Sequence, residues 1–447
     1  MRAVVSVAEM RAADEAAPVG VDVLVRRAGR AVANEAVKML GGAYGRRVVV
    51  VAGKGNNGSD GRAAAALLTR WGAGVTVVDP GSALEGADLV IDAAYGTGFR
   101  GEYKAPDPHG APVLAVDIPS GVDGDTGAAG ADSVRAAATV TMAALKPGLL
   151  LGEGPERAGR VVVADIGLPV GETATHLVGD EDREWIPTRR GDGNKWDRAV
   201  WIVAGSPGMR GASRLCTRAA QRAGAGMCRV GSPGVDASEQ PAAEAVGVTL
   251  PAEGWHQVVL DQLERFHGLV VGPGLGRSPS VQASVRALVG GARIATLVDA
   301  DGLTALGTAE DVAAVVRRRE GAAAVVLTPH DGEFGRIAGE RPGPDRIAAA
   351  RDLAARTGAV VLLKGSTTVV AAPDGTTLLA AAGDARLATA GTGDVLSGVI
   401  GALLCAGVDG LRAAALGAHV HGRAAQRGHA VGLVASDIPD LLPDVLA

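Results

Sequence analysis

Short runs of consecutive apolar residues recur along the chain, and each run in the first half ends at Gly, Pro or Asp. Helical stretches, Pro18–Leu40 and Arg62–Trp71, lie among these runs. Strands that are apolar on both faces and alternate with helices are typical of a parallel sheet covered on both sides. The sequence therefore predicts an α/β fold, whose first sheet contains the following strands: Val48–Ala52, Val75–Val78, Leu89–Ile91, Val113–Val116 and Val161–Ala164.

The alternation stops over residues 168–197, a stretch that contains two prolines and the charged run Asp180–Glu184. Connections longer than about 15 residues are uncommon inside a domain. We therefore predict two domains, residues 1–175 and residues 180–447, a number that suits a chain of 447 residues. A long surface loop within one domain is the alternative interpretation.

A second series of strands and helices follows this break. The predicted strands are Val200–Ala204, Leu269–Val271, Ala295–Val298, Ala324–Leu327, Val360–Leu363 and Thr368–Ala371. The predicted helices are Ala212–Ala223, Pro279–Val289, Asp345–Arg356, Val395–Ala406 and Leu411–Gln426. The second domain is therefore also predicted to be α/β.

Composition and charge argue against several classes of protein. The net charge is −5 and aromatic residues make up 2% of the chain, so neither a basic face nor a base-stacking platform for nucleic acid is predicted. The three Cys residues form no C-x-x-C pair, which argues against a disulfide framework or a thiolate zinc site. The longest uncharged run, Val395–Val408, is too short to span a bilayer, and Glu9 interrupts the apolar start of a signal peptide. We expect a cytoplasmic protein that binds neither nucleic acid nor membrane.

A Gly-rich turn, Gly53–Gly61, follows the first strand and fits G-x-G-x-x-G before a helix, with Asp79 at the end of the next strand. By itself this is a weak dinucleotide fingerprint. Asn56, Asn57 and Asp60 disagree with a plain dehydrogenase, because a pyrophosphate-binding turn offers backbone N–H groups and no carboxylate. The Asp60 carboxylate would repel a phosphate unless a cation offset its charge.

Two further segments rich in Gly and Asp follow strands, Asp92–Gly101 and Asp117–Gly127. Because the loops that follow parallel strands meet at one edge of a sheet, we expect Asn57, Asp92 and Ser120 to converge as oxygen ligands. Such ligands suit an alkali or alkaline-earth cation rather than zinc. For each residue taken alone, a helix cap or an Asx turn is the alternative.

These three segments, together with Ala8–Arg11 and Asp14, resemble the NAD(P)H-hydrate epimerase family. The resemblance covers most of residues 1–170 and implies a Rossmann-like fold with Asp117 as the acid/base. It implies a potassium ion held by three ligands: Asn57, Asp92 and Ser120. It implies contacts to substrate from Asp117 and from two segments: Asn56, Asn57, Gly58, Ser59, Asp60, Gly96, Thr97, Gly98, Phe99, Arg100, Gly101 and Glu102. Ser59 departs from the family, which usually has Gly there.

In the second half, the turn Thr389–Asp394 opens the apolar helix Val395–Ala406. Successive N–H groups of such a turn form an anion-binding site at a helix N-terminus. Asp394 lies in the first helical turn, where it can take a proton from a hydroxyl group beside a phosphate. The arrangement predicts a phosphoryl-transfer site, and an ordinary acidic helix start is the alternative.

Two other polar segments follow strands of the second half. The turn Leu363–Thr368 carries Lys364, which suits a nucleotide phosphate but is also compatible with a simple hairpin. His330 follows another strand beside Glu333, although a lone His is more often structural. Only six of the 44 basic residues are Lys, and the others are Arg. In a chain with this bias, a Lys can mark a position that requires a compact ammonium group. The six are Lys38, Lys54, Lys104, Lys146, Lys195 and Lys364.

These segments resemble the ribokinase-like family, and more narrowly its NAD(P)H-hydrate dehydratase branch. The resemblance runs from Gly193 to the C-terminus and implies a ribokinase-like α/β sandwich. Its motifs are Gly193–Lys195, Gly205–Ala212, Gly272–Gly276, Val298–Leu303, Leu327–Glu333, Lys364–Thr368 and Ala388–Leu396. It implies four contacts to the hydrated nicotinamide nucleotide: Ala212, Gly274, His330 and Asp394. It implies six contacts to the adenine nucleotide: Lys364, Gly365, Ser366, Thr367, Thr368 and Gly393. Asn194–Asp197 and Thr304 depart from the family pattern.

Together the two resemblances imply repair of hydrated NADH and NADPH. The first domain would interconvert the R and S hydrates, and the second would dehydrate the S form with ADP and Mg²⁺, leaving AMP and phosphate. The implied partners are these small molecules, and we expect a homo-oligomer. Two alternatives stay open: a ribokinase-like vitamin-precursor kinase with a Rossmann-like accessory domain, and a first domain that senses a nucleotide or binds a partner without catalysis.

Overall fold

The computed structural model describes residues 1–239, 244–321 and 323–447 of the chain. The chain forms two compact units. One unit comprises Arg2–Thr175, and the other comprises His176–Ala447 together with Met1. The division falls inside the stretch where the alternation of strands and helices stops in the sequence. Independent folding of two domains stays a prediction.

The N-terminal unit is built on a six-stranded sheet with the order β3-β2-β4-β5-β6-β7, in which every neighbouring pair is parallel. The strands of the unit are β1 (Arg2–Ala3), β2 (Arg47–Ala52), β3 (Gly74–Val78), β4 (Leu89–Ala93), β5 (Val113–Val116), β6 (Ala138–Met142) and β7 (Arg160–Ala164). The helices are α1 (Val7–Glu15), α2 (Val21–Leu40), α3 (Asn56–Arg70) and α4 (Gly154–Ala158). The predicted α/β class and parallel sheet are confirmed, and β6 is a strand that the sequence did not predict.

Alternation of side chains along the strands gives this sheet two apolar faces. One face, which includes Val50 and Ile91, packs with α2 and α3 into a continuous core. The other face, which includes Val51 and Val90, forms a second core. Residues 94–112, which connect β4 to β5, cover part of that second face and contain no helix. The sheet is therefore covered on both sides, but irregular chain replaces a helix in this connection.

Helix α3 begins at Asn56 rather than at the predicted Arg62. The start of α3 lies directly against the ends of β2 and β4, and two positions in this contact have room only for glycine. A Cβ on Gly58 would clash with the carbonyl oxygen of Gly53, and a Cβ on Gly53 would clash with that of Ala94. Most of the polar residues of the Gly-rich turn therefore form the first turns of α3. The free N–H groups of this helix lie at the edge of the sheet.

The C-terminal unit contains a sheet with the order β8-β17-β16-β15-β14-β13-β12-β9-β10-β11. Its strands are β8 (Thr175–Leu177), β9 (Ala199–Val203), β10 (Met227–Pro233), β11 (Val246–Leu250), β12 (Gly268–Val271), β13 (Ala295–Val298), β14 (Val325–Leu327), β15 (Val360–Leu363), β16 (Thr368–Ala371) and β17 (Thr377–Ala380). Its helices are α5 (Arg210–Arg222), α6 (Trp255–Leu260), α7 (Pro279–Gly291), α8 (Asp301–Leu306), α9 (Ala309–Arg317), α10 (Asp331–Ala338), α11 (Arg346–Thr357), α12 (Thr392–Cys405), α13 (Gly410–Arg427) and α14 (Ile438–Leu446).

The strands from β15 across to β11 are parallel, whereas β15, β16 and β17 are antiparallel neighbours. Helices α5, α12, α13 and α14 share one core with the sheet. Helix α12 crosses α5 so closely that a Cβ on Gly398 would clash with the carbonyl oxygen of Cys216. This contact fixes the position of α12, whose N-terminus carries the predicted phosphoryl-transfer site.

In the described part of the chain, no helix is both long enough and apolar enough to cross a lipid bilayer. Cys216, Cys228 and Cys405 are buried free thiols. Burial raises the pKa of the Cys228 and Cys405 thiols to about 12, so both are neutral near pH 7.

A cut after Glu172 should give two fragments that each fold, because each unit has its own buried apolar core. Thermal unfolding of each purified fragment, followed by circular dichroism, should show a cooperative transition. A control cut after Thr296, inside β13, should abolish folding of the C-terminal piece. Aggregation of both fragments from the first cut, with no cooperative transition in either, would show that the two units depend on each other.

Candidate active sites

Polar residues that follow β2, β4 and β5 surround a cavity of about 820 Å³ at the carboxyl edge of the N-terminal sheet. This volume lies within the range of small-molecule sites. Most of the residues predicted to contact substrate or to act as acid/base line the cavity: Asn56, Asn57, Asp60, Gly96, Thr97, Gly98, Phe99, Arg100 and Asp117. The structure thus brings three separate sequence segments to one place.

Four other predicted contact residues lie outside the walls that the described residues form around this cavity. Gly58 is buried in α3, and the Oγ of Ser59 donates a hydrogen bond of 3.3 Å to the carbonyl oxygen of Gly55. Gly101 and Glu102 are exposed. Contact of these four residues with substrate stays a prediction.

Asp92 lies near the end of β4 and is buried. Ser120 holds its carboxylate with two hydrogen bonds, from the backbone N to Oδ2 at 2.8 Å and from Oγ to Oδ1 at 2.7 Å. The backbone N of Tyr95 donates to the Oγ of Ser120 at 2.9 Å. Burial raises the pKa of Asp92 to about 6, and the hydrogen bonds from Ser120 oppose that rise. Two of the three predicted cation ligands are therefore in direct contact.

Asn57, the third predicted ligand, lies in the first turn of α3. Its side-chain oxygen and nitrogen are buried without a hydrogen-bond partner among the described residues. Buried amide groups normally have partners, so this side chain fits a ligand that the chain itself does not supply. The donors of Asn57, Asp92 and Ser120 are oxygens, which suit a hard cation better than a soft metal. The described residues contain no cluster of three His, Cys, Asp or Glu side chains that could hold a metal.

Asp117 is held by a buried lysine, Lys146, that was not among the predicted site residues. The Nζ of Lys146 donates to its Oδ1 at 2.5 Å, and the same oxygen accepts from the Oγ1 of Thr141 at 3.1 Å. Lys146 is fully buried and also donates to the Oγ1 of Thr141 and to the carbonyl oxygen of Met142. All three ammonium protons are thus engaged, and Asp117 is fixed with a left-handed backbone (φ 67°).

Two further carboxyl groups line the same cavity. Burial raises the pKa of Asp60 to about 8, and the nearby carboxyl groups of Asp117 and Asp14 add to the rise. Burial and Asp117 also raise the pKa of Asp14, whereas Lys146 lowers it. Asp60 is therefore largely protonated at neutral pH, and the site offers a proton donor beside an Asp that is paired with an ammonium.

The second site lies at the carboxyl edge of the C-terminal sheet, where the loops that follow β9, β12, β13, β14 and β15 emerge. Gly274 and Ala212, both predicted substrate contacts, pack side by side. A Cβ built on Gly274 would lie 2.9 Å from the Cβ of Ala212, and Gly274 has a φ of 65°. The loop after β12 and the start of α5 therefore approach so closely here that only glycine fits at position 274.

Helix α12 begins at Thr392, earlier than predicted, and its N-cap Gly391 has a left-handed backbone with a φ of 90°. The first N–H groups of a helix have no partner inside it and can bind an anion. A Cβ on Gly393 would lie 3.5 Å from the Nζ of Lys364 and 3.8 Å from the Oδ2 of Asp299. The helix start, an ammonium and a carboxylate therefore meet at one point.

Asp299 ties three elements together at this point. It follows β13 and is buried. Lys364, which follows β15, donates from Nζ to its Oδ1 at 2.7 Å, and Ser397 of α12 donates from Oγ to its Oδ2 at 2.7 Å. Both carboxylate oxygens are satisfied, so the ammonium of Lys364 is held beside the N-terminus of α12.

Asp394 lies in the first turn of α12, as predicted from the sequence. Burial raises its pKa to about 6, the carboxylates of Asp299 and Asp301 raise it further, and Lys364 lowers it. A carboxylate whose pKa lies near the working pH is suited to general base catalysis.

His330 acts as the N-cap of α10, where its Nδ1 accepts hydrogen bonds from the backbone N of Gly332 at 3.0 Å and of Glu333 at 3.4 Å. This capping role agrees with the structural interpretation of a lone His. The other imidazole nitrogen lies 3.5 Å from the Glu333 carboxylate. Contact of His330 with substrate stays a prediction.

The turn Lys364–Thr368 joins the antiparallel strands β15 and β16. Arg346 fixes this turn by donating a hydrogen bond of 2.7 Å to the carbonyl oxygen of its first residue. Two residues at its tip, Gly365 and Ser366, are exposed, whereas Thr367 is buried. The hairpin interpretation is thus correct for the backbone, and the predicted nucleotide contacts of the turn stay predictions.

Three residues that organise these sites were not assigned to them from the sequence: Lys146, Asp299 and Ser397. Lys146 carried a signal, since it is one of six lysines in a chain that otherwise uses Arg. Asp299 carried another, because it directly follows an apolar strand, as Asp117 does, and lies within the motif Val298–Leu303. Ser397 lies inside an apolar helix and has no comparable signal.

Two protein families match the chain. Residues 21–85 and 78–148 match the family described as YjeF-related protein N-terminus. Residues 200–444 match the family described as NAD(P)H-hydrate dehydratase. Each match falls within one structural unit and includes predicted site residues of that unit.

A protein of Salinibacter ruber named bifunctional NAD(P)H-hydrate repair enzyme Nnr is 36% identical, and the match covers 95% of this chain and 92% of that protein. The structure of the ADP/ATP-dependent NAD(P)H-hydrate dehydratase from Bacillus subtilis, co-crystallised with ATP and Mg²⁺, is 32% identical and has a TM-score of 0.51 over 60% of this chain and 96% of that one. A ribokinase-like superfamily protein from Enterococcus faecalis is 21% identical with a TM-score of 0.52, over 62% and 97% of the two chains, and shares the fold. The chain therefore belongs to the family of bifunctional NAD(P)H-hydrate repair enzymes.

Proposed function

We propose that this chain repairs hydrated NADH and NADPH at two sites. The N-terminal unit interconverts the R and S hydrates, and the C-terminal unit dehydrates the S form with ADP, releasing AMP and phosphate. The observation that carries the proposal is Asp394 in the first turn of α12, next to an ammonium and to free helix N–H groups. The relatives named for this repair cover both units, which supports it over a vitamin-precursor kinase.

In the dehydratase, the obstacle is that hydroxide is a poor leaving group. Asp394 takes the proton of the substrate hydroxyl, whose oxygen then accepts the terminal phosphoryl group of ADP. The N–H groups of Gly391–Gly393 and the ammonium of Lys364 stabilise the charge that develops on the transferred group. The lone pair of the ring nitrogen then expels phosphate and leaves an iminium ion. Loss of a proton from the neighbouring ring carbon to solvent restores the ring double bond and gives NAD(P)H.

The other residues of this site position the two substrates. Ala212 and Gly274 are small enough to let the nicotinamide ring approach, while the turn Lys364–Thr368 and Gly393 hold the adenine nucleotide. Mg²⁺ normally binds to nucleotide phosphates with one or two carboxylates, and here it would accompany ADP and offset its charge. Asp299 keeps Lys364 in position through its 2.7 Å ion pair.

In the epimerase, the hydroxyl sits on a carbon bonded to the ring nitrogen, so loss of water gives an iminium ion that water can attack from either face. Asp60, protonated at neutral pH, supplies the proton that lets the hydroxyl leave. Asp117, fixed by Lys146, accepts a proton from the incoming water. Potassium held by Asn57, Asp92 and Ser120 would offset part of the negative charge of the site.

Two properties of the whole protein remain predictions. A cytoplasmic location agrees with three buried free thiols, and cell fractionation tests it. A homo-oligomeric state is tested by sedimentation equilibrium of the purified chain.

The primary test uses a mixture of R and S hydrates of NADH with ADP and Mg²⁺. The full chain should regenerate the absorbance of reduced nicotinamide from both epimers, with AMP and phosphate as products. When ADP is omitted, epimerisation should be the only reaction, and chromatography of the hydrates measures it. A stable phosphorylated product formed with a vitamin precursor, and no NADH, would favour the kinase instead.

Asp394→Asn should abolish dehydration, because loss of a positioned base typically costs about 10²- to 10⁴-fold in rate. Epimerisation by the same variant should be unchanged, since its site lies in the other unit. The matched control is Asp352→Asn, an exposed Asp in a surface ion pair of the same unit, which should keep full activity. Dehydration by Asp394→Asn at the rate of the wild type would remove the base from this mechanism.

Asp92→Ala should weaken substrate binding to the epimerase, because it removes the charged ligand of the proposed potassium site and frees Ser120. Without ADP, the wild type should convert R to S hydrate faster in a potassium buffer than in a buffer of a large organic cation. The variant should convert it at the same rate in both buffers. Asp79→Ala is the control, since Asp79 is exposed and follows β3, which does not pair with β4. Equal behaviour of wild type and Asp92→Ala in both buffers would exclude the ion site.

Asp60→Asn should stabilise the protein increasingly as pH rises while impairing epimerisation. Because the folded-state pKa of Asp60 is raised to about 8, folded protein keeps a proton that unfolded protein loses above the ordinary pKa of 3.8. Stability therefore falls with rising pH between these values, by about 1.4 kcal/mol per pH unit for one group. Asn removes that loss, so the gain in Tm should be larger at about pH 8 than at about pH 5.

The control for this measurement is Asp79→Asn, an exposed site on the same unit. Its Tm difference from the wild type should be the same at both pH values. A gain for Asp60→Asn that does not change with pH would mean that Asp60 is ionised in the folded protein.

A further inference from the structure

A second cavity, of about 320 Å³, lies in the N-terminal unit on the sheet face that α2 and α3 do not cover. Val51, Val90 and Val113 of three adjacent strands form its floor. Residues 105–108 and 131–135 form most of the remaining wall, and no described residue that lines it also lines the 820 Å³ cavity. It is therefore a separate site rather than an extension of the first one.

The cavity has a structural cause in the connection between β4 and β5. Parallel strands are usually joined through a helix that packs on the sheet, whereas residues 94–112 cross this face without one. Pro106 and Pro108 lie in this connection and line the cavity. An irregular segment fills less volume on the sheet than a helix would, and the space remains between it and the valines of the floor.

Two buried polar side chains in the cavity wall lack a partner among the described residues. The hydroxyl of Tyr103, whose side chain is 9% exposed, makes no hydrogen bond, and neither does the Nε of Arg157, which is 3% exposed. The other guanidinium nitrogens of Arg157 are held by carbonyl oxygens, including that of Ser133 at 3.0 Å. Buried donors without partners are uncommon and mark places where a missing acceptor belongs.

The surroundings define what that acceptor can be. Both unpartnered groups can donate, so an occupant must offer a hydrogen-bond acceptor. The buried carboxyl group of Asp92 lines the same cavity, and Glu153 lies 3.2 Å from Arg157 and offsets its charge, so the site does not favour an anion. The apolar floor and the small volume favour a compact, mostly apolar molecule.

We propose that this cavity is a binding site for a small uncharged carbonyl compound, of the size and polarity of an aromatic carboxamide. Its ring lies against the three valines, and its carbonyl oxygen accepts a hydrogen bond from Tyr103. Because Asp92 lines the cavity and is held by Ser120, an occupant touches the same carboxyl group that lies at the edge of the epimerase site.

The test uses the full chain with benzamide as the probe and benzoate as its charged counterpart, by saturation-transfer NMR and titration of the Tm. Benzamide should bind and raise the Tm, and benzoate should bind more weakly. Tyr103→Phe should weaken benzamide binding about three- to tenfold, because it removes one hydrogen bond and keeps the ring. The same variant should not lower the Tm of the free protein, since its hydroxyl has no partner there.

Ala105→Phe, at the rim, should fill the cavity and abolish benzamide binding while the protein stays folded. If that variant fails to fold, Ala131→Leu, at another part of the rim, takes its place. Benzamide binding that a folded rim variant leaves unchanged would place the probe elsewhere and overturn the proposal. Absence of benzamide binding up to its solubility limit, or tighter binding of benzoate, would overturn it as well.

Discussion

A buried carboxylate must have its oxygens satisfied, and in both units this requirement organises the edge of the sheet. Asp92 obtains its hydrogen bonds from Ser120, which ties the end of β4 to the loop that follows β5. Asp299 obtains them from Lys364 and Ser397, which ties the end of β13 to the loop after β15 and to α12. In each case one Asp at the end of a central strand fixes loops that are distant in sequence.

Different neighbouring charges give the acids of the two sites different pKa values. Burial raises the pKa of Asp60, its neighbouring carboxyl groups add to the rise, and the pKa reaches about 8. Burial also raises the pKa of Asp394, but the ammonium of Lys364 opposes the effect of the nearby carboxylates, and the pKa reaches only about 6. One chain thereby carries an acid that can give a proton and another that can take one at the same pH, although both begin as ordinary Asp residues near a helix start.

The α/β class and the polar loops at the sheet edges followed from local sequence pattern, whereas most individual site residues were predicted from family resemblance. The elements that local pattern missed have physical explanations. Most strands that are apolar runs were predicted nearly to the residue, whereas β6, β8, β10, β11 and β17 were missed. Glycines and a proline, Gly231, Pro233 and Gly247, interrupt β10 and β11. The start of α3 was misplaced because its Asn and Gly residues disfavour a helix, and contact with two strand ends overrides that preference. Lys146 and Ser397 contribute by holding residues that are distant from them in sequence, Asp117 and Asp299. A local sequence pattern does not show which distant residues the fold brings together.

The burial of Lys146 also determines how this lysine reacts with reagents that modify amines. An amine-directed acylating reagent needs a free, solvent-accessible amine, and this side chain is fully buried with all three protons engaged. Lys54, by contrast, lies exposed in the Gly-rich turn of the same unit. Brief acylation followed by peptide mass mapping will therefore modify Lys54 and not Lys146 as long as the N-terminal unit is folded. The fraction of acylated Lys146 then measures how often that unit unfolds.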